Sequence, residues 1–421
     1  MMAAEKIITE VAERTAVPIP TDVAQSKPYL SGEFNVDGAG QVYLPNQTAA
    51  REALPTLPFP GNKDEPWRKT SISALPLEAL HLADETGLTL SAAPQGVVFL
   101  PLAEAAARIP QVLEKYLDTL VRPDTDKFSA LAAGYVHNGF VLYVPKGVQA
   151  AETLDAVVTI AQDGTIQNSR VLVVLEEGAS AALHLSYVKG AGSQTALHSG
   201  ILEVIVGENA RLHLAERQQL GLETWHFTHE KASVGANAAI DWAYFAFGTH
   251  LSKSFVHVSL DGKGSQARLD GLSITNSGQH LDLDTQQDHM APITYSNLAF
   301  KAALLGTSRT VWQGMIYVDP SAVQTDGYQS SRNLILDTRA HADAIPGLEI
   351  KTDDVRCSHG ATISQIDADQ IFYLRSRGLD EATAREMIVN GFFQDIVDKV
   401  RDEDLRAELV DIIHEKLTVE G

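Results

Sequence analysis

Short runs of β-branched and aliphatic residues dominate the chain from about residue 139 to residue 350. Runs of this kind, separated by glycine and polar turn residues, predict β-strands rather than helices. The clearest are Phe140–Val144, Val157–Ile160, Val171–Leu175, Ile201–Val206 and Phe255–Leu260. The middle of the chain is therefore predicted to be built from strands.

Apolar residues at helical spacing lie on both sides of this strand-rich middle. On the N-terminal side the pattern predicts helices over Leu102–Arg108, Gln111–Val121 and Thr125–Ala133, and one capped by Asn46 that ends at Leu54. On the C-terminal side the helical period begins after Thr362, with Asp367 and Asp380 as predicted N-caps, Gly378 as a stop, and a second stop at Asn390-Gly391. A final helix carries one apolar stripe of Leu405, Leu409, Ile412 and Ile413.

A glycine-led repeat underlies the strand-rich middle. The pattern G-x-x-A-x-[LI] begins at Gly178, Gly207, Gly235 and Gly264, with spacings of 29, 28 and 29 residues. A fixed period in this range is typical of solenoids, in which each unit buries its face only against its neighbours. Units of short strands predict a parallel β-helix, which we expect to be right-handed. Gly207 and Gly235 are expected to need positive φ in tight turns. A β-sandwich with coincidentally spaced glycine turns is the alternative.

These patterns predict a mainly β fold, a right-handed parallel β-helix flanked by N-terminal and C-terminal helical regions. Because the ends of a β-helix expose unpaired strand edges, both helical regions are expected to cover them. The predicted boundaries are an N-terminal helical and irregular region at 1–135, the parallel β-helix core at 136–362 and a C-terminal helical domain at 363–421.

Composition narrows the classes of function. The formal net charge of −21 argues against nucleic acid or an anionic membrane as the main partner. The chain has no apolar run of about 18 residues that could span a membrane, and its first residues lack the pattern of a secretory signal. Its single cysteine rules out an internal disulfide and suits a reducing cytoplasm. We therefore expect a cytoplasmic protein.

Cys357 and His359 are the candidate metal-ligating residues. Two positions apart on an extended segment, they would face the same side. A thiolate and an imidazole suit Zn, Cu or iron–sulfur ligation, but two ligands do not complete a site. A second chain, Asp353 or Asp354 would have to supply the rest. The alternative is a buried structural cysteine beside a hydrogen-bonded histidine. The run from His226 to Glu230 has the wrong order for a zinc protease motif and is interpreted as structural.

Five blocks between residues 333 and 378 follow one another in the order found in a known family. They are Asn333–Leu336, Pro346–Ile350, Asp353–Val355, Cys357–Thr362 and Phe372–Gly378. They resemble the SufD family, subunits of the SUF iron–sulfur cluster assembly machinery. The segment Trp67–Thr70, after a proline-rich connector, is also similar to the N-terminal region of SufB and SufD proteins, and Trp67 is expected to anchor this loop onto the main body.

The resemblance implies a non-enzymatic scaffold subunit of a SufBCD-type complex. It would pair with a SufB-like subunit through β-helix strands and bind a SufC-like ATPase through its helical tail, where Phe392, Phe393, Leu405 and Leu409 are the candidate contacts. It implies that His359 helps form a transient iron–sulfur site shared with SufB. Cys357 matches the family block as well. No cluster is expected on the isolated chain, which could form a homodimer that imitates the SufB contact.

The segment Ser330–Asn333 favours SufD over SufB within this resemblance, because SufB-like proteins carry a cluster-linked cysteine there and this chain has no thiol. The chain also has Cys-Ser-His-Gly where SufB has a glutamate-histidine-glutamate arrangement. One cysteine cannot supply the four thiolates of an ordinary iron–sulfur cluster. Two alternatives from other classes are a β-helix polysaccharide lyase or hydrolase, which would need carboxylate pairs or basic residues on an open groove, and a purely structural, self-associating β-helix.

Overall fold

The computed structural model describes residues 30, 32–36, 44–83 and 87–418. The N-terminal segment that lacks the pattern of a secretory signal lies outside these residues. The described part before residue 135 is a mixture of short helices and short strands. In chain order these are α1 (Gln47–Ala53), β1 (His81–Leu82), β2 (Gly87–Leu90), β3 (Val98–Pro101), α2 (Leu102–Arg108), α3 (Pro110–Tyr116) and α4 (Lys127–Gly134).

The starts of two of these helices show how local sequence acts. α4 begins with a reciprocal cap, in which the Ser129 amide donates to the Asp126 carboxylate and the Asp126 amide donates to the Ser129 hydroxyl, both at 2.8 Å. The predicted cap at Asn46 is wrong. Its backbone lies at φ 59°, no side-chain cap is formed, and its amide donates instead to Asp118 at 3.1 Å. The Asn46 side chain thus ties α1 to the loop after α3.

The strand-rich middle is a parallel β-helix, as predicted. Its strands are β4 (Asn138–Val144), β5 (Gln149–Gln162), β6 (Thr165–Leu175), β7 (Ser180–Gly192), β8 (Ala196–Val206), β9 (Arg211–Gln219), β10 (Thr224–Val234), β11 (Ala239–Gly248), β12 (Leu251–Leu260), β13 (Gln266–Thr275), β14 (His280–His289), β15 (Tyr295–Leu304), β16 (Arg309–Val318), β17 (Thr325–Ile335), β18 (His341–Ile350) and β19 (Val355–Gln365).

Successive strands go to opposite sheets. From β4 onward the even-numbered strands pair in parallel in one sheet and the odd-numbered strands pair in parallel in the other. We call these the even sheet and the odd sheet. Each pair of consecutive strands makes one coil, giving eight coils in the described residues. An antiparallel β-sandwich is excluded by this parallel pairing. Handedness stays a prediction.

A ladder of turn residues with positive φ runs along one edge of the solenoid. Its members are Gly147, Gly178, Asn209, Asn237, Gly264, Ile293 and Gln324. The amide of each donates to a carbonyl of the next coil, as Asn209 does to Ala236 at 2.8 Å and Asn237 does to Lys263 at 2.9 Å. Asparagine tolerates this left-handed backbone better than most non-glycine residues.

The ladder corrects the expectation for Gly207 and Gly235, because the positive φ lies two residues later, at Asn209 and Asn237. The glycine-led pattern had the right period, but its four glycines occupy two different positions of the turn. Gly178 and Gly264 have positive φ, whereas Gly207 and Gly235 lie two residues before the position that does. Gly207 is required for space instead: a Cβ placed there would lie 2.7 Å from the Leu175 carbonyl oxygen.

The two ends of the solenoid differ. At the N-terminal end β3 pairs antiparallel with β4 and β2 pairs antiparallel with β5, so the first coil is covered. At the C-terminal end β18 and β19 are the outermost strands of their sheets. The expectation that the helical tail covers this end is wrong, because the tail packs on the outer face of the odd sheet.

The tail consists of α5 (Ala368–Ser376), α6 (Glu381–Val397) and α7 (Glu403–Thr418). The predicted caps at Asp367 and Asp380 are confirmed, since their carboxylates accept from the amides of Asp369 and Thr383 at 2.8 and 2.9 Å. The predicted stop at Asn390-Gly391 is wrong. Burial of the residues beyond it outweighs the cost of about 1 kcal/mol for a mid-helix glycine. No described helix is long and apolar enough to cross a membrane.

Candidate functional site

The C-terminal end of the solenoid exposes two strand edges and part of its interior face. The outer edges of β18 and β19 have no strand neighbour among the described residues. Apolar side chains lie in the open here: Ile363 is 51% exposed and Ile345 is 43% exposed. Such an edge is a template for pairing with another chain. We call β18 and β19 together the open end.

Cys357 and His359 both lie on β19, opposite Gly327 and Gln329 of β17. Gly327 and Gln329 are buried, and the Cys357 sulfur lies 3.3 Å from the position that a Cβ on Gly327 would occupy. Since residues two apart face the same side of a strand, the two side chains share one face, as the sequence predicted, and the structure shows that this face is the solenoid interior. Cys357 is half-buried and packs against a small apolar cluster, whereas His359 is exposed because no further coil covers it.

The environment of Cys357 keeps its sulfur protonated. Burial raises the pKa of the Cys357 thiol, and the Asp326 carboxylate adds to the rise, while a hydrogen bond with the Gly327 backbone opposes it. A thiolate is the form that attacks electrophiles and binds metals. Cys357 is therefore a weak nucleophile in this chain, and metal binding there would have to release a proton.

Among the described residues, the chain supplies only part of a metal-ligand set. In the part that the structure describes, no three histidine, cysteine or acidic side chains come together as a metal site. Asp353 and Asp354, the candidates for completing the set, lie in the turn before β19, where their carbonyls accept from the amides of Val355 at 3.1 Å and Gln324 at 2.6 Å. A metal ion or cluster at the open end would need ligands from a second chain.

Gln329 is a residue that the motifs did not point to. Gln329 lies on β17 and is the register partner of His359, which is on the next coil. Its amide nitrogen donates to the carbonyls of Gly347 at 2.9 Å and Gly314 at 3.3 Å. Its buried amide oxygen has no partner among the described residues. That oxygen points across the solenoid interior to β16, 2.6 Å from where a Cβ on Gly314 would lie. The repeat period could have predicted this position, because a residue about 30 positions before His359 lies beside it on the preceding coil.

The predicted partner contacts in the tail need correction. Phe393, Leu405 and Leu409 are buried in a cluster with Phe245 and Phe247 of the odd sheet, so they hold the tail to the solenoid. The apolar pattern that predicted a partner contact therefore comes from packing of the tail on the odd sheet.

Phe392 is half-buried: its carbonyl accepts from the Lys301 ammonium at 2.6 Å, and the same ammonium lies 4.9 Å from its ring centroid. The large apolar side chains that the tail does expose are Phe372 (73%), Tyr373 (55%), Met387 and Val410. α5, which carries Phe372 and Tyr373, buries none of its residues. The exposed apolar surface of the tail is therefore centred on α5.

Family models account for most of the chain. The model described as SUF system FeS cluster assembly, SufBD core domain, matches residues 158–392, and the model for the SufBD protein N-terminal region matches residues 83–155. The chain belongs to the SufBD family. The core match begins in β5 and ends in α6, so it includes the open end and most of the coils. The resemblance seen in the sequence is thus confirmed at the level of the family.

Curated relatives agree with this assignment. An iron–sulfur cluster assembly SufBD family protein of Mycobacterium leprae is 28% identical over 370 residues, which is 86% of this chain and 91% of that protein. A SufBD family protein of Mycobacterium tuberculosis is 29% identical over 86% of this chain and 90% of its own length. The SufB protein of Bacillus subtilis is 27% identical over 71% of this chain and 64% of its own length. This is a SufBD family protein of iron–sulfur cluster assembly, which decides against the polysaccharide lyase alternative.

Proposed function

We propose that this SufBD family protein is the SufD-type subunit of a SufBCD-type complex, a cytoplasmic and non-enzymatic scaffold that presents half of a site where an iron–sulfur cluster is assembled. The observation that carries the proposal is the open end, where the inward-facing Cys357 and His359 lie on β19, an edge strand whose outer side has no strand neighbour among the described residues. Ser330–Asn333, without a thiol, supports the SufD type. Ser331 and Asn333 of this segment are buried, and their side chains hydrogen-bond to each other at 3.2 Å.

The sister SufB-like subunit would continue the sheets. Strand addition at the edges of β18 and β19 supplies backbone hydrogen bonds, and the exposed Ile345 and Ile363 supply apolar contacts. The same edges would let two copies of this chain pair when the sister subunit is absent, which gives a homodimer. Pairing of either kind brings a second chain to His359, where the missing ligands are needed.

His359 is the proposed ligand for iron or the nascent cluster, which are cargo of the complex. Its imidazole is exposed on the inward-facing side of β19, so a cation and a second chain can both reach it. A neutral imidazole is a common ligand for metal ions. Cys357 is the assisting group because it lies two residues from His359 on the same face of β19, and its raised pKa means that a bound cation must displace the thiol proton.

The SufC-like ATPase is proposed to bind the exposed side of the tail. Phe372 and Tyr373 on α5 are the principal contacts, and Met387 on α6 is a further exposed apolar side chain of the tail. A nucleotide would be bound by that ATPase, because the present chain has no phosphate-binding glycine motif. Deletion of residues 363–421 is a poor test of this contact, since it would also uncover Phe245 and Phe247.

The histidine proposal is tested on the complex co-purified with its SufB-like and SufC-like neighbours and reconstituted without oxygen. His359→Ala is expected to leave assembly intact and to lower bound iron and sulfide several-fold, with a smaller loss for Cys357→Ser. His81→Ala is the matched control, because His81 is an exposed histidine on β1, which pairs with β6 far from the open end. Full cluster loading of the His359 variant would return His359 to a structural role.

The docking proposal is tested by Phe372→Ser together with Tyr373→Ser. Both residues are exposed, so thermal stability should be unchanged while affinity for the ATPase falls by at least about tenfold. Leu222→Ser is the control, an exposed leucine outside the tail. Unchanged ATPase affinity would rule out α5 as the contact, and failure of the wild-type chain to bind either neighbour would favour a purely structural, self-associating solenoid.

A further inference from the structure

Residues Pro66–Thr70 form a strap that lies across the outer face of the even sheet. Trp67 is its anchor, as the sequence predicted. The indole is buried, stacks on Phe128 at 5.8 Å between ring centroids, and lies 5.8 Å from the Phe227 ring and 6.2 Å from the Phe255 ring. Phe227 and Phe255 belong to β10 and β12, so the strap is fixed at the middle of the solenoid.

The next part of the strap is held by buried polar groups on β14. The Thr70 hydroxyl donates to the Asp282 carboxylate, which also accepts from the Lys253 ammonium at 2.9 Å. Because the hydroxyl hydrogen is engaged in the bond to Asp282, the hydroxyl oxygen accepts from His280 Nε2 at 3.0 Å. Burial, with help from the Arg309 charge, lowers the pKa of His280 to about 3, so this ring is neutral. These contacts set the position of Thr70 and of its neighbour Lys69.

Lys69 connects the strap to β18 at the open end. Its ammonium is 3.0 Å from Asp343 Oδ1 on β18, and Asp343 Oδ2 accepts from the Arg309 guanidinium of β16 at 2.7 Å. Gln313 of β16 also donates to the Pro66 carbonyl at 3.0 Å. Asp343 therefore joins β18, the last strand of the even sheet, both to its neighbour β16 and to a residue 274 positions away in the sequence.

We propose that Lys69 is a positioning residue, held by the strap, that fixes β18 against β16 and so sets the geometry of the edge that receives the partner subunit. An edge strand is hydrogen-bonded on one side only, so it is among the first parts of a sheet to open. Asp343 lies two residues before the exposed Ile345. The partner's role here rests on the proposed function, whereas the fixing of β18 is a property of the isolated chain.

The first experiment measures backbone amide hydrogen exchange in the isolated full chain. Lys69→Met should speed exchange of the amides of 341–350 by about fivefold and leave those of β8 and β10 unchanged, the size expected for one partly exposed ion pair. Lys69→Arg should restore slow exchange. Lys115→Met is the matched control, since Lys115 also faces a solenoid carboxylate, Glu176 at 3.8 Å, far along the chain from β18. Unchanged exchange of 341–350 in Lys69→Met would overturn the proposal.

The second experiment measures the affinity of the sister SufB-like subunit. Lys69→Met should weaken binding by about fivefold at unchanged melting temperature, with Lys69→Arg near wild type. Wild-type affinity in a variant whose β18 amides exchange faster would overturn the positioning role. If the wild-type chain does not bind the sister subunit, the proposed function fails, and the exchange measurement still decides whether Lys69 fixes β18.

Discussion

The two ends of the solenoid are built from similar coils but face different surroundings. The N-terminal end is closed by antiparallel strands β2 and β3, and its first coils have wholly buried interior side chains such as Phe140. The open end has the same strand spacing, but its interior-facing side chains on β19 lie in contact with solvent. A repeat architecture needs a distinct cap at each end, since each coil is satisfied only by its neighbours. Under the proposed function, a second chain would supply the cap at the open end.

The largest expected effect tests whether the closed end is the rigid one. Phe140 is fully buried and meets Phe99 edge-on at 5.3 Å. Phe140→Ala should lower the free energy of unfolding by about 3–5 kcal/mol, because it leaves a cavity between coils. Ile363→Ala at the open end should cost less than about 1 kcal/mol in the isolated chain. Denaturant titration of both variants gives the comparison, and equal losses would contradict it.

A pH titration extends the comparison to the coils between the two ends, where two buried carboxyl groups make stability depend on pH. Glu216 and Glu230 lie inside the solenoid, where Trp242 Nε1 donates to Glu216 at 3.3 Å. Burial raises the pKa of Glu230 from 4.5 to about 7 and raises that of Glu216 well above its ordinary range. Tyr187 and Tyr244 also face this pair.

Because the folded chain holds the Glu230 proton more tightly than the unfolded chain, its contribution to stability is complete below pH 4.5 and is lost as the pH rises to about 7. Glu230→Gln should remove this loss, so the variant gains on wild type by up to roughly 3 kcal/mol between pH 4.5 and pH 8. Denaturation at several pH values measures the difference, with the exposed Glu349→Gln as control. Parallel pH dependence of Glu230→Gln and wild type would contradict the assignment.

A charge at the open end tests whether this end alone receives the partner. Ile363→Lys should weaken binding of the sister subunit, or of a second copy, on the order of tenfold, because pairing would bury an unpaired ammonium. The fold of the isolated chain should be unchanged, since this side chain is already half in solvent. Leu222→Lys, at an exposed leucine elsewhere, should have no effect. Sedimentation and a binding titration distinguish these outcomes.

The smallest effect tests whether one turn rule holds from the closed end to the open end. Asn209 has φ 57°, which glycine adopts without strain, so Asn209→Gly should change stability by less than about 1 kcal/mol. Asn209→Val should cost about 1–3 kcal/mol through backbone strain. The same pair of substitutions at Asn237, one coil further on, should behave alike in thermal unfolding. A harmless valine at both sites would argue against the turn ladder.

The sequence alone determined the local and periodic features of this protein. Strand runs and a period near 29 residues predict a solenoid because every coil meets the same neighbours and repeats the same residue choices. The i, i+2 spacing placed Cys357 and His359 on one face, and the carboxylates of Asp367 and Asp380 marked helix starts. Each of these depends on residues close together in the chain, so the pattern carries the information.

Only the tertiary structure decided what covers each apolar face and which distant residues meet. The stripe with Leu405 and Leu409 shows which side chains avoid water, but the odd sheet, rather than a partner, is what buries them. The contact of Lys69 with Asp343 leaves no local signal, because it depends on how seven coils stack between them. The end of the solenoid stays open because the tail buries Phe393, Leu405 and Leu409 against the outer face of the odd sheet and not against the edges of β18 and β19.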